Sequence, residues 1–104
     1  TIRGAVGNWS KTLSIEVAEF GITVNNVLPG FTDTERLTEI IKIKANIEDR
    51  SIEDMREIMK NYAPAKRFAQ PEETANVITF LASEAAGYVN GINVPVDGGR
   101  TKSL

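Results

Sequence analysis

The chain has 104 residues, 41% of them apolar and 25% charged, with a formal net charge of −2. This balance is typical of one small globular domain, and the slight acidity argues against nucleic acid as a partner. The absence of cysteine and histidine excludes disulfides, thiol nucleophiles, imidazole bases and the usual zinc sites. We expect no metal site and no membrane span, because no apolar run approaches about 20 residues.

A helix is predicted from Ile2 to Phe20, because apolar residues recur there every three or four positions. Gly21 is a natural residue to end it. The β-branched stretch from Ile22 to Leu28 predicts a short strand, which Pro29 and Gly30 terminate. A helix, a strand and a loop in this order make half of a βαβ unit and predict a parallel sheet. The two asparagines inside the strand, Asn25 and Asn26, are interpreted as members of a buried polar network.

Two charged helices are predicted next, one from Glu35 to about Ala45 and one that starts at Ser51 and is stopped by Pro64. Candidate caps for the first are Thr32, Asp33 and Thr34. Both helices are charged outside and only thinly apolar inside. The pair, residues 34–62, is therefore predicted to form a mobile lid rather than a core.

The last helix is predicted to open at Pro71, with Glu72 and Glu73 as acids near the positive end of its dipole. A final strand is predicted from Ile92 to Val96, followed by a turn at residues 97–99. Two strands leave most of the hydrogen-bonding edge of a sheet open, so the sheet is predicted to be incomplete on its own. The chain also starts without Met on the first turn of a helix, which predicts a fragment.

Four segments, taken together and in order, resemble the short-chain dehydrogenase/reductase family, and within it the 3-oxoacyl-[acyl-carrier-protein] reductase-like branch. The segments are residues 13–18 (LSIEVA) with 21–25 (GITVN), 29–34 (PGFTDT), 67–73 (RFAQPEE), and 80–83 (FLAS) leading to Gly91 and 96–99 (VDGG). The resemblance implies an α/β fold, in which residues 1–104 are the C-terminal fragment of one doubly wound, Rossmann-type NAD(P)-binding domain. That fragment would hold two strands and about four helices.

The same resemblance implies an oxidoreductase that moves hydride between NAD(P)H and a carbonyl or alcohol, with a 3-oxoacyl thioester or a similar ketone as the substrate. In the family, backbone groups of the second segment hold the nicotinamide carboxamide and a threonine reaches the cofactor. The residues implied for cofactor binding are Pro29, Gly30, Thr32 and Thr34. Arg3 stands at the position of the family's catalytic lysine, and the catalytic tyrosine would fall one residue before Thr1.

Other parts of the family pattern are missing from this sequence. It has no glycine-rich phosphate turn, and the family's catalytic serine would lie upstream of Thr1. We therefore expect no tight NAD(P)H binding by this chain alone. A second hypothesis is a catalytically silent association module, since the resemblance implies a homo-oligomer, a dimer or a tetramer. A cytoplasmic location is expected, because the sequence has no cysteine.

One internal match to the family's Tyr-x-x-x-Lys pattern is interpreted as accidental. Tyr62 and Lys66 have this spacing, but Pro64 lies between them. The pattern requires both side chains on one face of a helix, and proline breaks that helix. No catalytic role is therefore expected for this pair.

Overall fold

The computed structural model of the chain describes residues 2–102, with side chains from residue 4 onwards. Within this range the chain forms four α-helices, two short 3-10 helices and two strands. Their bounds are α1 Ile2–Val17, β1 Asn26–Pro29, α2 Glu35–Ile47, α3 Ile52–Lys60, α4 Pro71–Leu81 and β2 Asn93–Val96, with 3-10 helices at Ala18–Phe20 and Glu84–Ala86. The prediction of an α/β fold with two strands and about four helices is confirmed.

The two strands pair in parallel, as predicted. The N–H of Asn26 donates to the C=O of Ile92 at 2.9 Å, and the N–H of Gly30 donates to the C=O of Val96 at the same distance. Both partners advance by four residues in the same direction, which defines a parallel ladder. This pairing brings the loop that follows β1 beside the turn that follows β2.

The first strand is shorter than predicted, because residues 22–25 lie outside it. Asparagine side chains take the place of the backbone ladder there. The side-chain amide of Asn25 donates to the C=O of Val89 at 3.0 Å, and its oxygen accepts from the N–H of Ile92 at 3.2 Å. Asn90 accepts from the N–H of Val24 at 2.9 Å. The prediction of a strand from Ile22 was wrong. The predicted asparagine network is present, but Asn25 and Asn26 are half-buried rather than buried.

The chain divides into two compact units. The first unit comprises Thr1–Leu28 and Thr74–Val94, and the second comprises Pro29–Glu73 and Pro95–Leu104. Among the described residues, the first unit buries only Ser10, Ser14 and Ala86. Polar bonds hold it: Ser10 donates to the side chain of Asn26 at 3.3 Å, and the amide of Asn90 donates to the C=O of Ser14 at 3.1 Å.

The second unit has a hydrophobic core of its own, formed by α2, α3 and the segment that follows them. The buried residues are Leu37, Ile41, Ala45, Met55, Met59 and Phe68. The prediction that the helical pair 34–62 forms a lid rather than a core was therefore wrong about the core. Each apolar stripe is thin, but the two stripes face each other and Phe68 closes the space between them.

The starts of the helices agree with the sequence better than their ends. Thr34 caps α2 by accepting from the N–H of Leu37, and Ser51 caps α3 by accepting from the N–H of Asp54. The helix α3 ends at Lys60, four residues before Pro64, so the proline is not what stops it. Instead, the side-chain amide of the next residue, Asn61, binds the C=O of Glu57 at 2.8 Å.

Candidate functional site

The loop between β1 and α2, residues 29–34, is the segment predicted to touch a cofactor. It lies in the second unit. A Cβ atom on Gly30 would lie 2.8 Å from the Cα of Asp97, a separation that real side chains do not reach. Only glycine therefore allows the loop to pass this close to the turn after β2. Pro29, just before it, has no N–H to donate.

One residue of this loop keeps both of its backbone polar groups unused. Thr32 forms a parallel bridge with Ala69, in which the N–H of Ala69 donates to the C=O of Phe31 at 2.9 Å. The N–H of Asp33 donates back to the C=O of Ala69 at 2.8 Å. Both bonds use the neighbours of Thr32, so within residues 2–102 its own N–H and C=O have no hydrogen-bond partner. A primary carboxamide needs one acceptor and one donor, and this residue offers both.

The two threonine hydroxyls of the loop have different local partners. Thr32 donates its hydroxyl to the C=O of Gly30 at 3.2 Å, which folds the side chain back on the loop. The hydroxyl oxygen of Thr34 accepts from the N–H of Leu37 at 3.3 Å. Its proton is still available for a ligand, because a hydroxyl can accept and donate together. The predicted capping residue and the predicted cofactor contact thus coincide at Thr34.

The loop is also tied to α3 by an ion pair. Arg56 on α3 lies 3.0 Å from the carboxylate of Asp33. The same guanidinium stands 5.2 Å from the ring centre of Phe68, which belongs to the core. Partly exposed pairs of this kind contribute only about 0–1 kcal/mol, so the contact orients the loop more than it stabilises the protein.

A small cavity of about 130 Å³ lies within the second unit. Its lining residues are Phe31, Ala63, Ala65, Arg67, Ala69, Glu73, Val96, Asp97 and Gly98. None of the four residues predicted to bind the cofactor lines it, and from the loop only Phe31 does. The cavity was not predicted from the sequence, because three separate segments of the chain form its wall.

Two of the three charged groups in the cavity wall, Arg67 and Glu73, neutralise each other. Arg67 donates two hydrogen bonds to the carboxylate of Glu73, from Nη1 to Oε1 at 2.7 Å and from Nη2 to Oε2 at 2.9 Å. The bond from Arg67 and a bond from the N–H of Gln70 lower the pKa of Glu73 to about 2. The same carboxylate bond raises the pKa of Arg67 above its ordinary value. The charge of each side chain is neutralised by the other, so this pair stabilises the local structure.

The turn after β2 is fixed by the side chain of Asp97. Its carboxylate accepts from the N–H of Gly99 at 3.0 Å, and from both the N–H and the hydroxyl of Thr101. These bonds, first of all that of the Thr101 hydroxyl, hold the pKa of Asp97 below its ordinary value. Gly98 adopts a left-handed φ of 64°, and the C=O of Gly98 accepts from the N–H of Ala65 at 3.0 Å. The predicted turn at residues 97–99 is confirmed.

The remaining predicted positions give different outcomes. The side chain of Arg3, predicted at the lysine position, lies outside the described residues. Tyr62 and Lys66 both fall outside the helices, and Lys66 has a positive φ of 57°. The two residues therefore do not share a helix, as the position of Pro64 between them predicted. Between residues 2 and 102 no cluster of acidic side chains could hold a metal ion, and no helix there is both long and apolar enough to cross a membrane.

Comparison with known proteins identifies the class. The family model described as enoyl-(acyl carrier protein) reductase matches residues 1–101. The NADPH-dependent reductase BacG of Bacillus subtilis is 37% identical over 103 residues, which are 99% of this chain and 40% of that protein. The 3-oxoacyl-[acyl-carrier-protein] reductase FabG of Rickettsia felis is 40% identical over 92% of this chain and 35% of its own length.

The solved structures agree with these sequence matches. A short-chain dehydrogenase family protein from Francisella tularensis superposes with a TM-score of 0.89 at 33% identity, over 96% of this chain and 41% of that one. The chain therefore belongs to the short-chain dehydrogenase/reductase family, as the four sequence segments predicted. It spans about 35 to 41% of the length of these relatives.

Proposed function

We propose that the chain is part of an NAD(P)-dependent oxidoreductase, and that the longer parent protein reduces the ketone of a 3-oxoacyl thioester or a similar carbonyl. The single observation that supports this most strongly is the unused N–H and C=O of Thr32, placed side by side on the loop after β1. The relatives add the chemistry, because their names include an NADPH-dependent reductase and a 3-oxoacyl-[acyl-carrier-protein] reductase. The matching family model is named for enoyl reduction instead, so an enoyl thioester is the substrate to compare with the 3-oxoacyl thioester.

The residues present fit a nicotinamide ring. The N–H of Thr32 would donate to the carboxamide oxygen, and the C=O of Thr32 would accept from the carboxamide nitrogen. The hydroxyl of Thr34 would donate a further bond while it continues to cap α2. Pro29 and Gly30 would keep this loop against the turn after β2. When bound, the cofactor supplies the hydride that reduces the carbonyl carbon.

Arg3 is proposed to replace the family's lysine. A guanidinium is charged at every ordinary pH, so it can hold a ribose hydroxyl and lower the pKa of a neighbouring acid. It cannot pass a proton on as a lysine can. The expected consequence is a reductase whose rate depends less on the ionisation of this position than a lysine enzyme does.

We propose that the protein is cytoplasmic and forms a dimer or tetramer, and that these 104 residues alone do not bind the cofactor tightly. The alternative of a catalytically silent association module gains no support from the relatives, which are named as reductases.

The experiment that tests the function joins this chain behind the residues of the Bacillus subtilis reductase that precede its match. The purified chimera is given NADPH with a 3-oxoacyl thioester, and separately with an enoyl thioester. We expect NADPH oxidation with the 3-oxoacyl compound. Oxidation with only the enoyl compound would correct the substrate, and a folded chimera that binds neither NADPH nor NADH would contradict the proposal.

Two substitutions at one position separate capping from cofactor binding in this chimera. Thr34→Ser keeps the hydroxyl, whereas Thr34→Asp keeps a capping oxygen but loses the proton donor. One lost hydrogen bond is expected to weaken NADPH binding about tenfold in Thr34→Asp. Thr34→Ser is expected to bind like the parent, and equal binding by both variants would remove Thr34 from the site.

A further inference from the structure

Two aromatic rings from distant parts of the chain share one cation. The guanidinium carbon of Arg100 lies 4.7 Å from the ring centre of Phe31 and 5.5 Å from that of Tyr62. The two rings are themselves 6.2 Å apart and tilted by 39°. Distances under about 6 Å are those at which a cation is attracted to a ring face. Arg100 therefore joins the loop after β1 to the segment after α3.

Hydrogen bonds fix the backbone around Arg100. The N–H of Arg100 donates to the C=O of Asp97 at 3.3 Å, and the carboxylate of Asp97 binds the residues before and after it, Gly99 and Thr101. The C=O of Gly98, within the same turn, accepts from the N–H of Ala65. The guanidinium therefore extends from an ordered turn, so its stacking requires no further ordering of the backbone.

Phe31 is the residue through which this contact reaches the proposed cofactor position. The C=O of Phe31 and the N–H of Thr32 belong to one planar peptide group, so they point in opposite directions. Because the C=O of Phe31 binds the N–H of Ala69, the N–H of Thr32 points to the other side. The ring centres of Phe31 and Phe68 lie 6.3 Å apart in an edge-to-face arrangement, and the guanidinium of Arg100 lies over the Phe31 ring. Because the two ring contacts hold Phe31 in place, its C=O stays bound to the N–H of Ala69, and this hydrogen bond would have to break before the peptide group could turn over.

We propose that Arg100 is a positioning residue, which clamps Phe31 and so fixes the direction of the Thr32 peptide group. Its effect on cofactor affinity rests on the proposed function, but its effect on the loop does not. Other cations stand near neighbouring rings, Lys44 at 6.0 Å from Tyr62 and Lys60 at 6.0 Å from Phe68. Within the described part of the chain, Arg100 is the cation that lies on Phe31.

The test is amide hydrogen exchange of the 104-residue chain, read at the N–H groups of Gly30, Asp33 and Ala69. In Arg100→Ala these three are expected to exchange about three to ten times faster, while amides within α2 and α3 keep their rates. Arg100→Lys keeps a cation without the flat guanidinium and is expected to restore part of the protection. Lys102→Ala removes a charge from the same tail and is the matched control, expected to change nothing.

A spectroscopic signature accompanies the exchange data. The side-chain methylene protons of Arg100 should resonate upfield of their usual position, and Tyr62→Leu should reduce that shift. Unchanged loop exchange in Arg100→Ala would overturn the proposal, as would an equal acceleration in the loop and in both helices. If Arg100→Ala does not fold, the comparison of Arg100→Lys with Lys102→Ala decides, since equal loop exchange in these two would also overturn it.

The failure of this proposal can be told apart from the failure of the proposed function. If Arg100→Ala accelerates loop exchange in the 104-residue chain but the chimera binds no NADPH, the proposed role of Arg100 stands and the proposed cofactor binding fails. A chimera that binds NADPH with the same affinity in Arg100→Ala, together with unchanged loop exchange, would keep the function and remove the clamp.

Discussion

The two units of this chain are held together by different kinds of interaction. The second unit buries six apolar side chains around α2 and α3, among them Ile41 and Met55 at 0% exposure. The first unit buries two serines and one alanine among its described residues, and leaves large side chains such as Trp9 and Phe20 more than 60% exposed. It is ordered by asparagine hydrogen bonds instead. The loop proposed to bind the cofactor belongs to the unit that has its own core.

The largest expected effect is a core truncation in the second unit. Ile41→Ala should lower the free energy of unfolding by about 2–5 kcal/mol, because it removes buried methyl groups and leaves a cavity. The matched change in the first unit, Ile78→Ala on the half-exposed face of α4, should cost under about 0.5 kcal/mol. Urea denaturation measures both, and equal losses would erase the contrast between the units.

The next effect compares two glycines. Gly30→Ala should destabilise by about 1–3 kcal/mol, since the new Cβ would meet the backbone of Asp97. Gly7→Ala, on α1 of the first unit, meets nothing within 4 Å and should stabilise by up to about 1 kcal/mol. Melting temperatures of the two variants should therefore move in opposite directions, and a neutral Gly30→Ala would show that the loop can retreat.

A smaller effect tests what holds the first unit together. Asn90→Ala deprives the N–H of Val24 and the C=O of Ser14 of their partners, at a cost of about 1–2 kcal/mol. Asn8→Ala, on an exposed position of α1, serves as the control and should stay within about 0.5 kcal/mol of the parent. If urea unfolding shows both variants to be equally stable, the asparagine network does not stabilise this unit.

The smallest effect is a pH dependence in the second unit. The pKa of Glu73 is lowered to about 2 from an ordinary value of 4.5, so its bonds stabilise the folded chain fully above about pH 4.5. This contribution should fade as the pH falls from 4.5 towards 2. Glu73→Gln should lose that part of the acid sensitivity, and an NMR titration that places the Glu73 midpoint near 4.5 would contradict it.

Local signals in the sequence predicted local features. The caps Thr34 and Ser51, the left-handed Gly21 and the turn at residues 97–99 follow from chemistry within a few positions of each residue. The four family segments also identified the candidate loop, residues 29–34.

Features that depend on distant contacts escaped prediction. The thin stripes of α2 and α3 form a core because they pack against each other and against Phe68 from a later segment. The strand β1 starts late because asparagine side chains bind the backbone before it: Asn90 accepts from the N–H of Val24, and Asn25 donates to the C=O of Val89. The stacking of Arg100 on Phe31 has no local signature, since neither position is unusual among its neighbours. Side-chain pairings of this kind are decided by the folded chain rather than by the spacing of residues.

The most direct measurement is the amide chemical shift of Thr32 in the isotope-labelled chimera as NADPH is added to saturation. We expect the Thr32 N–H to move downfield as it gains its first hydrogen bond. The amides of Gly30 and Asp33, which already donate to Val96 and Ala69, should keep their hydrogen bonds and move much less. Saturation with NADPH that leaves the Thr32 amide unmoved would contradict the proposal that this loop holds the nicotinamide.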